Sequence, residues 1–294
     1  MSALLAQSCV HPLHTIEDDE AEQLGGHAIA SLIDEVTLTP KPGLVDIRSR
    51  GAHQDLSWSL MCASAYALLP TFCELARAGT NLPATLSLRE RIGALGRYGE
   101  RVMLQATRGV NTHRGAIWAL GLLVTAAAQD AADRAPKSIA SRAGALARLP
   151  DRYAPARTGH KGERACLEHG VGGARGQAHA DFPHVMEFAL PELRRSRKRG
   201  HGENTARLNA LLAIMASLDD TCVLARGGRT ALTTVQEGAR RVLDRGGAAT
   251  LDGRRELKGL DRRLIELNVS PGGAADLLSA TLFLDRLADA GRSN

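Results

Sequence analysis

The chain has 294 residues, of which 44% are hydrophobic, 23% charged and 3% aromatic. That length suits one large domain, and the balance is that of a folded globular protein rather than a disordered or fibrous one. The net charge of +5 favours an anionic partner, but much of the excess sits in RRSRKR at 194–199 with no aromatic side chain beside it, which argues against nucleic acid.

Ala, Leu and Gly dominate while strand formers are sparse, so the expectation is an all-α fold: a single globular multi-helix domain with functional loops at helix ends. Residues 1–15 read as a flexible arm without the basic start or long apolar core of a signal peptide, and 16–294 as the helical domain. Apolar residues at helical spacing predict a helix over 17–38, which must stop before Pro40. The next stretch, TLTPKPGLVDIRSRGAHQD at 37–55, is a stiff loop bearing Lys41, Asp46, His53 and Asp55. Asp55 is a suitable N-cap for a helix running to Ala78 with a break near Pro70.

The capping-box pattern SLRE at 87–90 predicts a helix to about Thr107. A polar loop, RGVNTHRG at 108–115, then leads into an apolar helix over 116–129, and the apolar run within it, 116–128, is too short to span a bilayer. A further helix is expected over 136–149. Residues 150–173 are the least regular part, too long for a mere connector and read as a binding or mobile loop. Helix resumes over 174–193, interrupted near Pro183. A long helix from Asn204 or Thr205 to about Leu224 would place Asp219 and Asp220 in its last turns, where carboxylates are unfavourable, and end at Arg226-Gly227-Gly228. Helices over 230–245 and 252–267 follow. Ser270 as N-cap and Pro271 at the first position open the final helix to about Ala290.

Five cysteines occur, at 9, 62, 73, 166 and 222, with no CxxC pair. Buried free thiols in a reducing, cytoplasmic setting fit that pattern. Four loops each join glycine to ionisable side chains beside a helix end: 41–55, 111–114, 219–226 and 268–276. Helix N-termini suit phosphate, and Lys41, Arg114, Arg175 and Arg226 could add charge-assisted contacts. Asp55, Asp219, Asp220 and Asp276 could hold Mg2+, which favours a few carboxylates together with substrate phosphates. The plainer alternatives are helix-dipole roles for Asp55 and Asp276, surface positions for Asp219 and Asp220, and a structural His113.

The stretches EVTLTPKPGLVD at 35–46, GAHQD at 51–55, GVNTHRG at 109–115, GGARGQA at 172–178, LDDTCVLARGG at 218–228 and NVSPGGAADLLSATLFL at 268–284 occur in one order along the chain. In them the sequence resembles the triphosphoribosyl-dephospho-CoA synthase family. GAIWALGLL at 115–123 and LRRSRKRG at 193–200 look most like the malonate decarboxylase branch. The resemblance implies an all-α transferase that joins ATP and 3′-dephospho-CoA into 2′-(5″-triphosphoribosyl)-3′-dephospho-CoA with loss of adenine. The product would pass to a transferase acting on an acyl-carrier subunit; no membrane partner is implied, and a homodimer is compatible. An α linkage formed from β-configured ATP implies a single displacement with inversion.

On that resemblance Lys41, Arg114, Arg175 and Arg226 would hold substrate, with Asn111 and His113 orienting ribose or adenine. Asp219, Asp220 or Asp276 would carry Mg2+, and Asp55 or His53 would act as base. Arg108, His169, Gly173 and Ala225 depart from the residues usual at their positions. Two other readings compatible with the residues are a non-catalytic CoA- or nucleotide-binding accessory protein and a helical Mg-dependent hydrolase of ADP-ribose-like compounds.

Overall fold

A computed structural model describes residues 16–290; the expected N-terminal arm lies outside them. No strand occurs among the described residues. The fold is built on α1 (Ile16–Thr37), α3 (Leu69–Asn81), α5 (Arg114–Ala128) and α13 (Gly272–Ala290), with α1 against α3 and α13, and α5 against α3 and α13. The α5 sequence is apolar around its whole circumference, so it must be enclosed on all sides. It is: every residue from Ala119 to Ala128 is buried.

Around this centre lie α2 (Trp58–Ala67), α4 (Leu86–Ala106), α6 (Pro136–Arg148), α7 (Lys161–His169) and α8 (Gly173–His179). A π-helical turn over His184–Ala189 leads into α9 (Leu190–Lys198), which packs on α10 (Glu203–Met215). Then α11 (Thr221–Asp244) pairs with α12 (Leu251–Glu266). Trp58–Asn81 is long and apolar enough to cross a membrane by composition, but it divides into α2 and α3, and half of its most apolar window is buried in the fold.

Several boundaries differ from expectation for identifiable reasons. Ser57, not Asp55, caps α2, its hydroxyl accepting from the Leu60 N–H. Thr85 precedes α4, and Glu90 pairs with Arg152 instead of completing a capping box. Residues 150–173 contain α7, whose apolar face is too short to stand out in the sequence. The expected helix from 204 to 224 is two elements: α10 ends at Met215, and Asp220 begins α11. Gly228, with φ 62° and ψ −162°, puts a kink in α11 instead of ending it. Ser270 makes no capping bond; its hydroxyl is buried without a partner.

Arg108 occupies left-handed backbone at φ 54°, a region that glycine enters without the steric cost borne by other residues. Arg108→Gly is therefore expected to stabilise the fold by about 1 kcal/mol, read as a higher midpoint in urea. An unchanged or lower midpoint would contradict this.

Candidate active site

The loop after α1 folds around one carboxylate. Asp46, 1% exposed, accepts from the Thr39 hydroxyl, the Lys41, Arg48 and Ser49 amides and the Arg48 guanidinium. Burial opposes its ionisation, yet these bonds, Arg48 first, hold its pKa below the ordinary value. The loop drives Lys41 inward, where it is 1% exposed and paired with the buried Glu35 in the last turn of α1. Lys41 thus neutralises a carboxylate and does not extend toward solvent as a phosphate-binding cation would.

The starts of α5 and α13 lie near this pair, and α11 reaches the same loop at Ala52. At α5, Asn111 accepts from the Arg114 amide, and His113 is buried with Nε2 3.0 Å from the Met61 carbonyl oxygen. Burial lowers the His113 pKa to about 4, so the ring is neutral and holds the loop to α2. Arg114 pairs with Glu100 on α4 at 2.9 Å. At α11, Asp220 caps the helix through Oδ1, which accepts from Cys222 and Val223, while Oδ2 accepts from the Ala274 amide 2.9 Å away on α13. Asp220 therefore ties two helix starts together, which explains an acidic pair that looked misplaced when read as a helix C-terminus.

Asp276, in the first turns of α13, reaches the start of α5, where it accepts from the Ala116 amide. A Cβ at Gly115 would lie 2.0 Å from its Oδ2, so only glycine permits the approach. Burial raises the Asp276 pKa well above its ordinary value, and the charges of Glu35 and Asp220 add to the effect. Asp276 is only half-buried by solvent contact and Cys222 is exposed, although protein surrounds both. Solvent thus reaches the Asp276 carboxylate, and Cys222 is not the core thiol its apolar surroundings in sequence implied.

On the side of the 41–55 loop, Arg226 donates to the Ala52 carbonyl and lies 3.2 Å from His53 Nδ1. Burial and Arg226 lower the His53 pKa, so it is neutral near pH 7. An arginine can only donate, so this contact places the ring proton on Nε2 and makes His53 a donor there. Asp55 is 64% exposed at its side chain and 3.5 Å from the same Nδ1.

The structure brings Lys41, Asp220, Asp276, Arg226 and His53 to the same group of loops and helix starts, with Asn111, His113 and Arg114 at the α5 end. Asp219 is exposed, with no hydrogen bond or ion pair to a described residue. Arg175 lies apart, on α8, across Trp118 of α5. Sequence reasoning did not single out Glu35 as a site residue. The available signal was a carboxylate in the last turn of a helix, the same unfavourable placement that drew attention to Asp219 and Asp220.

No set of three or more His, Cys, Asp or Glu side chains among the described residues could hold a metal ion by itself. Both oxygens of Asp220 are occupied by backbone N–H groups, whereas those of Asp219 are open. That donor set suits Mg2+ only if substrate phosphates supply most of its shell.

A model of the family described as CitG: ATP:dephospho-CoA triphosphoribosyl transferase matches residues 21–294. The chain is similar to a Klebsiella pneumoniae protein named 2-(5″-triphosphoribosyl)-3′-dephosphocoenzyme-A synthase, with 54% identity over 277 residues, 94% of this chain and 98% of that one. Proteins given the same name, marked as probable, are 58% identical over 269 residues in Azotobacter vinelandii (91% of this chain, 92% of that one) and 56% identical over 271 residues in Pseudomonas syringae pv. syringae strain B728a (92% and 93%). No solved structure matches.

Proposed function

The chain belongs to the ATP:dephospho-CoA triphosphoribosyl transferase family and is a transferase, and from that premise we propose that the ribosyl transfer takes place where α5, α11 and α13 begin. The observation that carries this is Asp276: a carboxylate with a raised pKa, enclosed by protein yet reached by solvent, at the meeting point of three helix N-termini.

In the proposed reaction the 2′-hydroxyl oxygen of dephospho-CoA attacks C1 of the ATP ribose. The C1–N bond to adenine breaks, and its electron pair leaves with the base. Asp276 accepts the hydroxyl proton, and a proton from solvent neutralises the departing adenine. The neighbouring Glu35 and Asp220 charges make Asp276 a stronger base than an ordinary carboxylate. Asp220 also favours the positive charge that develops at C1. Arg226 and the positive ends of the α11 and α13 helix dipoles attract the triphosphate. His53 donates from Nε2 to a substrate oxygen, and Asp55 lies beside it. Asn111 and Arg114 border the same end of α5. Mg2+ entering with ATP would be held by Asp219 beside the phosphate oxygens, and its chemistry would be to neutralise phosphate charge.

The malonate decarboxylase branch is the proposed destination of the product, on the strength of the sequence at 115–123 and 193–200. Hand-over to a transferase acting on the acyl-carrier subunit, a cytoplasmic setting and a homodimeric state complete the proposal. The test is adenine release by the purified chain with ATP, Mg2+ and dephospho-CoA. Release that requires all three, one adenine per dephospho-CoA consumed, is expected. Release without dephospho-CoA would mean a hydrolase, and none at all an accessory protein.

A further inference from the structure

A cavity of about 280 Å3 opens between α4, α5 and the 151–160 segment. Its floor is apolar, with Ile92 on α4 and Ile117, Trp118 and Leu122 on α5. Its walls are cationic. Arg89 is only 7% exposed, its guanidinium lies 5.3 Å over the Trp118 ring, and its Nε–H has no hydrogen-bond partner. Asp151 pairs with Arg97 and Arg89, at 2.7 and 3.6 Å. Arg157 and Arg175 also line the cavity, and neither forms an ion pair with a described residue. A buried donor left unmatched is costly, and here it sits beside two unpaired guanidiniums.

The cavity adjoins the site already described. Trp118 is one helical turn along α5 from Gly115, which touches Asp276, a rise of about 5 Å. Consecutive residues bridge the two places: a Cβ at Gly173 would meet the Thr221 side chain 3.2 Å away, and the Ala174 carbonyl accepts from Trp118 Nε1 at 3.2 Å. Arg175 then reaches the cavity itself.

We propose that this cavity receives the diphosphate and the adjoining pantetheine chain of dephospho-CoA, and so selects the acceptor rather than ATP; this rests on the transferase reading above. The volume lies at the small end of ligand pockets, about 300–1,000 Å3, so it takes part of a coenzyme and not the whole. Of the two substrates, only dephospho-CoA joins anionic oxygens to an extended, largely apolar chain. Its diphosphate follows the reacting ribose by one carbon. Arg89, stacked over Trp118, and Arg175, next to the Ala174 that Trp118 bonds, meet α5 one turn from its start, where those oxygens would fall. ATP carries no apolar part except adenine, which has to leave from the reacting carbon itself.

Gly96 gives a clean probe. It lines the cavity from within α4, and an added Cβ there meets nothing within 4 Å. Gly96→Leu also replaces glycine by a better helix former, which favours folding. The expected result is a KM for dephospho-CoA raised about ten-fold or more, with the KM for ATP within about two-fold of the parent. Arg157→Gln, at an exposed position, should raise the same KM and flatten its salt dependence. A rise confined to the ATP KM would assign the cavity to ATP, and two unchanged constants in both variants would remove it from substrate binding; either overturns the proposal. Failure of the parent chain to release adenine would overturn the transferase reading instead.

Discussion

Asp276→Asn is expected to lower kcat by about 10²–10⁴-fold, the usual worth of a positioned proton acceptor. An amide fills the same volume but cannot take the proton of the attacking hydroxyl. The substitution should also stabilise the protein near neutral pH, and the sign follows from linkage. Burial, Glu35 and Asp220 raise the folded-state pKa of Asp276 above its ordinary value of 3.8. The folded state therefore binds the proton more tightly than the unfolded state does. This group's contribution is most favourable below pH 3.8 and is lost as pH rises to the raised folded value. A side chain that never ionises avoids that loss. Activity of the parent enzyme should fall on acidification at a pH above the ordinary carboxylate range. An inactive Asp276→Asn with a higher urea midpoint fits this account; full activity, or a lower midpoint, does not.

Asp220→Ala should do the opposite to stability. It leaves the Cys222, Val223 and Ala274 amides without their acceptor and unties α11 from α13. Losing a cap and stranding buried N–H groups is expected to cost about 2–4 kcal/mol in urea unfolding. Adenine release should fall with it, because the two helix starts beside Asp276 are no longer held in register. Asp220→Asn keeps one acceptor oxygen but turns an NH2 toward a backbone donor, so it should fall between alanine and the parent. Asp219→Asn, at an exposed and unpaired position, should leave the unfolding midpoint unchanged while weakening the response to Mg2+. Changing both aspartates together would therefore not be neutral for folding. A stable Asp220→Ala protein would show that the bridge between α11 and α13 contributes little.

The all-α fold was legible because apolar spacing and composition agree along most of the chain. The breaks were harder to place. Residues 216–220 keep a composition compatible with helix, and only the tertiary bond from Asp220 to Ala274 fixes where α11 begins. Ser270 and Pro271 form a local start signal, yet the cap of α13 comes from another helix. Sequence order cannot reveal such a substitution. The same limit applied to Lys41: a lysine in a Pro- and Gly-containing loop resembles a phosphate ligand until the loop is seen to fold around Asp46 and bury it against Glu35. The loops flagged as functional do gather: Arg226 bonds Ala52, Asp220 bonds Ala274, and Asp276 meets Gly115. The cavity beside Trp118 was not visible in advance, since α4, α5 and the 151–160 segment are brought together only by the tertiary fold.

The most direct test is a crystal structure of the Asp276→Asn protein with ATP, Mg2+ and dephospho-CoA bound. The ATP ribose is expected at the joint start of α5, α11 and α13, with its C1 against the acceptor's 2′-hydroxyl and the side chain at position 276 facing that hydroxyl. Nucleotides bound on another face of the helices, with position 276 remote from both ribose rings, would contradict it.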